Sequence, residues 1–127
     1  MTLVDTDVLI WNLRGNQRAA EVLDGSLTAL ALSAVSYMEL IQGMRNAAEL
    51  RALREALLFW QARLIQISEP VSMRASYLME EHALADGLRL ADALIAATAL
   101  EQACVLLTGN DRHFSSISGL EVQAFRP

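Results

Sequence analysis

The sequence predicts an α/β fold, a three-layer α/β/α sandwich around a central, mostly parallel sheet. Short apolar runs at Leu3-Val4, Leu27–Leu32, Leu64–Ile67, Val105–Thr108 and Val122–Phe125 alternate with longer segments whose apolar residues recur at helical spacing. Short strands alternating with helices imply parallel strands covered on both faces. A chain of 127 residues, 54% of them hydrophobic, can fill one core, so a single domain over residues 1–127 is expected.

The elements follow in order. Leu3-Val4 ends in Asp5-Thr6-Asp7, after which Val8, Leu9, Ile10, Trp11 and Leu13 read as a helix broken by Arg14-Gly15-Asn16. Gln17–Leu23 reads as a second short helix stopped by Asp24-Gly25. Leu27–Leu32 is a strand. Ser33 and Ser36 are both plausible caps for the helix that follows, which carries Glu39 and closes at Gly43. From Asn46 to Arg63, Leu50, Leu53, Leu57 and Trp60 mark an amphipathic helix. Leu64–Ile67 is a brief strand, and Ser68-Glu69-Pro70 opens a helix to about Ala85, with proline in the first turn. After Asp86-Gly87, Leu90–Ala103 is a helix apolar nearly all round and hence the buried one. Val105–Thr108 is a strand leading into Gly109-Asn110-Asp111, and Val122–Phe125 adds the last.

Composition removes several classes. The lone Cys104, among apolar neighbours, reads as a core thiol and can form no internal disulfide. No basic segment followed by an apolar stretch opens the chain, and the longest clean apolar run, Ala93–Leu100, falls short of the ~20 residues of a membrane span. A cytoplasmic protein without a membrane partner is expected. The net charge of −5 disfavours a coat for nucleic acid. Yet with Asp5, Asp7, Glu39, Asp92 and Asp111 set aside as one cluster, ten acids balance ten arginines. Cations held by that cluster would remove most of the mismatch with a polyanion.

In an open α/β sheet, chemistry gathers beyond the carboxyl ends of the strands. Asp5 ends the first strand, Glu39 lies early in the helix after the second, Asp92 opens the buried helix and Asp111 follows the fourth strand. Carboxylates brought together repel unless protonated or bridged by a cation, and oxygen-only ligands favour Mg²⁺ or Mn²⁺. Each acid also has a bland reading. Asp7 can cap the first helix, Ser36 and Glu39 match a capping box, Asp92 complements a helix dipole, and Asn110-Asp111 is an ordinary turn. Their joint placement is what points to a site. His113 and Arg112 stand beside it as candidate substrate contacts, while His82 is expected at the surface and Met38, Met44, Met73 and Met79 in the core.

Leu3-Val4-Asp5-Thr6-Asp7-Val8-Leu9-Ile10, Ser36-Tyr37-Met38-Glu39-Leu40-Ile41-Gln42-Gly43, Ala91-Asp92 through Ala99, and Leu107-Thr108-Gly109-Asn110-Asp111-Arg112-His113-Phe114 resemble, in order, the motifs of PIN-domain ribonucleases of the VapC type. The resemblance covers almost the whole chain. It implies a metal-dependent endonuclease that hydrolyses RNA to 5′-phosphate and 3′-hydroxyl ends, with no protein nucleophile, and that a cognate antitoxin holds inactive. It places Asp5, Glu39 and Asp92 as ligands of one or two Mg²⁺ or Mn²⁺ ions, with Thr6 and Thr108 steadying them. The fourth acidic position holds Asn110, with Asp111 one step later, so either residue can take that role.

Two enzymatic rivals share the Asp5-Thr6-Asp7 loop: a haloacid-dehalogenase-type phosphatase and a phosphoacceptor receiver domain. The first lacks room for a cap, and the second lacks its lysine. A third reading is a degenerate PIN fold that binds RNA or protein without cutting. Exposed faces on the helices Asn46–Arg63 and Pro70–Ala85 suit self-association as a homodimer, or antitoxin docking.

Overall fold

Every expected strand forms, and all of them pair in parallel. The computed structural model describes residues 1–127. In chain order it contains β1 (Thr2–Val4), α1 (Thr6–Leu13), α2 (Gln17–Asp24), β2 (Leu30–Ser33), α3 (Ala34–Gln42), α4 (Ala47–Phe59), β3 (Arg63–Ile65), α5 (Glu69–Asp86), α6 (Leu90–Gln102), β4 (Val105–Thr108), α7 (Asp111–Phe114) and β5 (Val122–Ala124). The strand order is β3-β2-β1-β4-β5. No helix is long and apolar enough to cross a membrane.

Side chains alternate across a strand, so each three- or four-residue strand feeds two cores. Leu3, Ala31 and Leu106 face one cluster, with Val71, Ala75 and Leu78 of α5 and Ala93, Ile95, Ala96, Ala97 and Ala99 of α6. Val4, Leu30, Leu32 and Leu107 face the other, with Val8 and Leu9 of α1, Leu23 of α2, Leu40 of α3 and Leu53 of α4. That division makes the three layers. The alanines of α6 explain its burial: small side chains let it lie close against both the sheet and α5.

Local signals start and stop the helices. Asn16, Asn46 and Ser68 cap α2, α4 and α5, accepting from the backbone N–H groups of Ala19, Glu49 and Val71. Gly87 ends α5 with φ of 70°. A Cβ there meets nothing within 4 Å, so only backbone strain opposes a side chain. Gly87→Ala is expected to cost about 1 kcal/mol, read as a shift of the urea midpoint with the slope unchanged.

Four expectations change. The second strand begins at Leu30, because Leu27 is wholly exposed and outside the sheet. The amphipathic helix stops at Phe59 rather than Arg63, where Gln61 takes a φ of 52° and the chain turns into β3. Met38 and Met73 are exposed, 54% and 67%, rather than core filler. His82 is not a free surface residue: its side chain is 13% exposed, with Nδ1 2.6 Å from Asp86 Oδ2.

From β1 the chain winds outward through β2 and β3, then returns to place β4 on the other side of β1. The order reverses there, and the crevice between the carboxyl ends of β1 and β4 is where such a sheet offers a site.

Candidate active site

Asp5 leaves β1 into that crevice and caps α1. It is 5% exposed. Its Oδ1 accepts the Thr6 backbone N–H at 2.7 Å, and its Oδ2 accepts the Thr108 hydroxyl, also at 2.7 Å. Thr108, the last residue of β4, has its Oγ1 accept in turn from the Asn110 backbone N–H at 3.0 Å. Burial pushes the Asp5 carboxyl from its ordinary 3.8 up to about 6; the bond from Thr108 opposes this, and the charges of Asp7 and Asp92 add to it.

Asp7 does not cap α1. It reaches across the crevice, and its Oδ2 accepts the Gly109 backbone N–H at 2.9 Å. Its Oδ1 is buried without a partner. Burial raises its pKa as well, with the charge of Asp92 adding. The contact is close enough to require glycine: a Cβ at residue 109 would lie 2.5 Å from Asp7 Oδ2.

Glu39 is exposed on α3, where the capping box that Ser36 and Glu39 match by spacing does not form. Ser33 caps the helix by accepting the Val35 N–H at 3.1 Å, while Ser36 lies inside it, buried, with its hydroxyl unpartnered. Glu39 is thus free of its own helix end, and its Oε1 accepts the Thr6 hydroxyl at 2.8 Å. Thr6 joins the two acids, its N–H on Asp5 and its hydroxyl on Glu39.

Asp92 sits in the first turn of α6, half-buried, three residues after Arg89, which caps the helix start. Burial raises its pKa; His113 opposes most, and the charge of Glu39 adds. His113 Nδ1 stands 3.9 Å from Asp92 Oδ2. Asp5, Asp7, Glu39 and Asp92 therefore share one electrostatic neighbourhood. Asp111 does not join them. Arg126 Nη1 donates to its Oδ1 at 2.9 Å, and that bond holds the Asp111 carboxyl below the usual range. Asn110 is exposed and its side chain makes no hydrogen bond; Arg112 is exposed on α7.

The sequence reading missed Gly109 and Arg126. Gly109 enters that reading only as the residue after the fourth strand, and nothing marks Arg126, which also donates to the carbonyls of Gly109 and Phe125 and so ties residue 126 to the site loop.

The donor chemistry suits a hard divalent cation: oxygen-only carboxylates, raised pKa values, and one buried carboxylate oxygen, Asp7 Oδ1, with nothing to accept from. No three His, Cys, Asp or Glu side chains stand close enough to enclose an ion as they are arranged. Glu39 is engaged with Thr6, and Asp92 faces His113.

A parallel α/β/α fold with carboxylates gathered at its switch point defines a class, and the sequence profile described as PIN domain matches residues 2–120. The chain belongs to the PIN-domain family. Within it, the chain is 39% identical to Ribonuclease VapC10 of Mycobacterium tuberculosis, over 95% of this chain and 91% of that protein. Among solved structures, a toxin–antitoxin complex from Klebsiella pneumoniae aligns with a TM-score of 0.81 and 30% identity over 98% of this chain and 97% of the other. FitAcB from Neisseria gonorrhoeae aligns with a TM-score of 0.74 and 27% identity over 96% of each chain.

Proposed function

We propose that the chain is a metal-dependent endoribonuclease, the toxin of a toxin–antitoxin pair, acting in the cytoplasm as a single domain. The observation that carries this reading is Asp5, buried at the switch point, fixed by Thr6 and Thr108 and flanked by three other acids. The relationship to a ribonuclease supports the substrate class. Asp5, Glu39 and Asp92 would hold the cation, Mg²⁺ or Mn²⁺, which when bound supplies an acidified water and stabilises charge on the departing 3′ oxygen.

The chain's own residues set the stage. Both Asp5 oxygens already accept hydrogen bonds, and no cationic side chain acts on that carboxyl. This arrangement suits a fixed ligand better than the nucleophile of a phosphatase. The Thr6 hydroxyl orients Glu39, and Thr108 orients Asp5. Asp111 is held by Arg126, which leaves Asn110 as the free polar side chain at the fourth position. Similarity to a chain of a toxin–antitoxin complex supports a protein antitoxin as partner. The exposed Met73, Tyr77 and Leu84 of α5 suit a homodimer.

Purified protein incubated with structured RNA is expected to cleave it with Mg²⁺ or Mn²⁺, to stop in EDTA and to resume when metal is restored. Retention of RNA without cleavage under any metal would favour the degenerate binding module, and a trapped aspartyl-phosphate would favour a phosphatase.

A further inference from the structure

An acidic pocket repels the phosphates it is to receive, so the positions of nearby cations decide how a strand approaches. These cations are distributed on one side only. Neither α1 nor α3, which frame Asp5, Asp7 and Glu39, contains a basic residue. The opposite rim, formed by the start of α6 and by α7, carries Arg89 and Arg112, with His113 beside Asp92. Arg89 is exposed at the N-cap of α6, three residues before Asp92, and its charge acts on that carboxyl. Arg112 is exposed one residue beyond Asp111. Arg18, Arg45, Arg74 and Arg126 are paired with acids; Arg14, Arg51, Arg54 and Arg63 have no acid partner either, but they lie at the end of α1, on α4 and at the start of β3 rather than on this rim. The side chains of Arg89 and Arg112 form neither a salt bridge nor a hydrogen bond.

We propose that Arg89 and Arg112 grip the RNA backbone, so that the strand crosses the α6–α7 rim with its phosphates on that side of the acidic pocket. Arginine suits the role because its planar guanidinium meets a phosphate with two parallel hydrogen bonds and stays charged throughout. This inference rests on the ribonuclease reading and adds the residues that receive the substrate.

The test is fluorescence anisotropy of a short fluorescein-labelled single-stranded RNA, titrated across KCl concentrations with Mg²⁺ present. Asp5→Asn protein serves as the parent so that the probe stays intact. Removing one arginine from a phosphate should flatten the dependence of log affinity on log salt by about 0.7. Arg89→Ala and Arg112→Ala are each expected to do so, and Arg89→Lys to keep the parental slope. Both arginines are exposed and unbonded, so alanine leaves the fold intact, checked by the melting curve.

Arg63→Ala is the control. Arg63 begins β3, and its charge acts on Cys104 together with the amino terminus, at the edge of the sheet away from the crevice. Its slope should equal the parent's. Parental slopes for both Arg89→Ala and Arg112→Ala, an equal flattening for Arg63→Ala, or a parent that binds no RNA at low salt would each overturn the proposal. Unsubstituted protein that cuts no RNA with either metal would instead overturn the ribonuclease reading itself.

Discussion

Asp5→Asn is expected to abolish RNA cleavage while making the metal-free protein more stable at neutral pH. The loss of activity should exceed the roughly 10- to 100-fold that removal of a ligand's neighbour costs, because Asn lacks the charge with which Asp5 is proposed to hold a cation. The gain in stability follows from burial. With its folded pKa raised from 3.8 to about 6, Asp5 is protonated in the native state and ionised in the unfolded chain between about pH 4 and 6. The folded form then binds the extra proton, so stability falls as pH rises through that window and stays reduced above it. The full difference corresponds to about 3 kcal/mol.

Asn carries no such dependence. Its Oδ1 can accept from Thr6, and its amide can donate to the Thr108 hydroxyl; the Thr108 O–H then loses its acceptor, which offsets part of the gain. A net gain of about 2 kcal/mol at pH 7.5 in EDTA is expected, several degrees in Tm, shrinking toward zero at pH 4. Equal melting temperatures for the two proteins at pH 7.5 in EDTA would contradict the burial argument, and cleavage at the parental rate would contradict the assignment. Mg²⁺ should raise the Tm of the parent more than that of Asp5→Asn, since ligand binding stabilises only the form that binds.

Gly109→Ala is the second large effect. Its methyl would arrive 2.5 Å from Asp7 Oδ2, the atom that accepts the same residue's N–H. Asp7 cannot turn aside without forfeiting that bond, and its other oxygen has no partner to compensate. A cost of about 1–3 kcal/mol follows. Because the displaced loop carries Thr108, activity should fall roughly tenfold as well. In an Asp7→Ala background the methyl has room, so the added cost should drop below about 0.5 kcal/mol. A double-mutant cycle reads this coupling directly, and additive costs would show that the two residues do not clash.

The layers and most elements could be read from local pattern, since a run such as Val105-Leu106-Leu107 or the alanine-rich α6 states its own burial. The placement of Asp5, Glu39 and Asp92 at the carboxyl edge followed from the same reading. What escaped was contact between distant positions. Thr6 with Glu39 and Asp7 with Gly109 lie 33 and 102 residues apart, and only the sheet order brings them together. Ser33 and Ser36 offered two caps of identical chemistry, and the helix begins directly after Ser33, leaving Ser36 inside it with its hydroxyl unpartnered. The four-residue α7 was too short for any period to show. Asp111 looked like a member of the cluster because its arginine partner lies 15 residues on, near the end of the chain.

The bond from Thr108 to Asp5 spans 103 positions. A ribosome must therefore release most of this polypeptide before the crevice can exist at all. Prematurely terminated products ending before β4 would lack Thr108 and Gly109, and those ending before α6 would lack Asp92 too. Under the proposed ribonuclease reading such fragments are inactive, and activity begins only with a molecule long enough to complete the crevice.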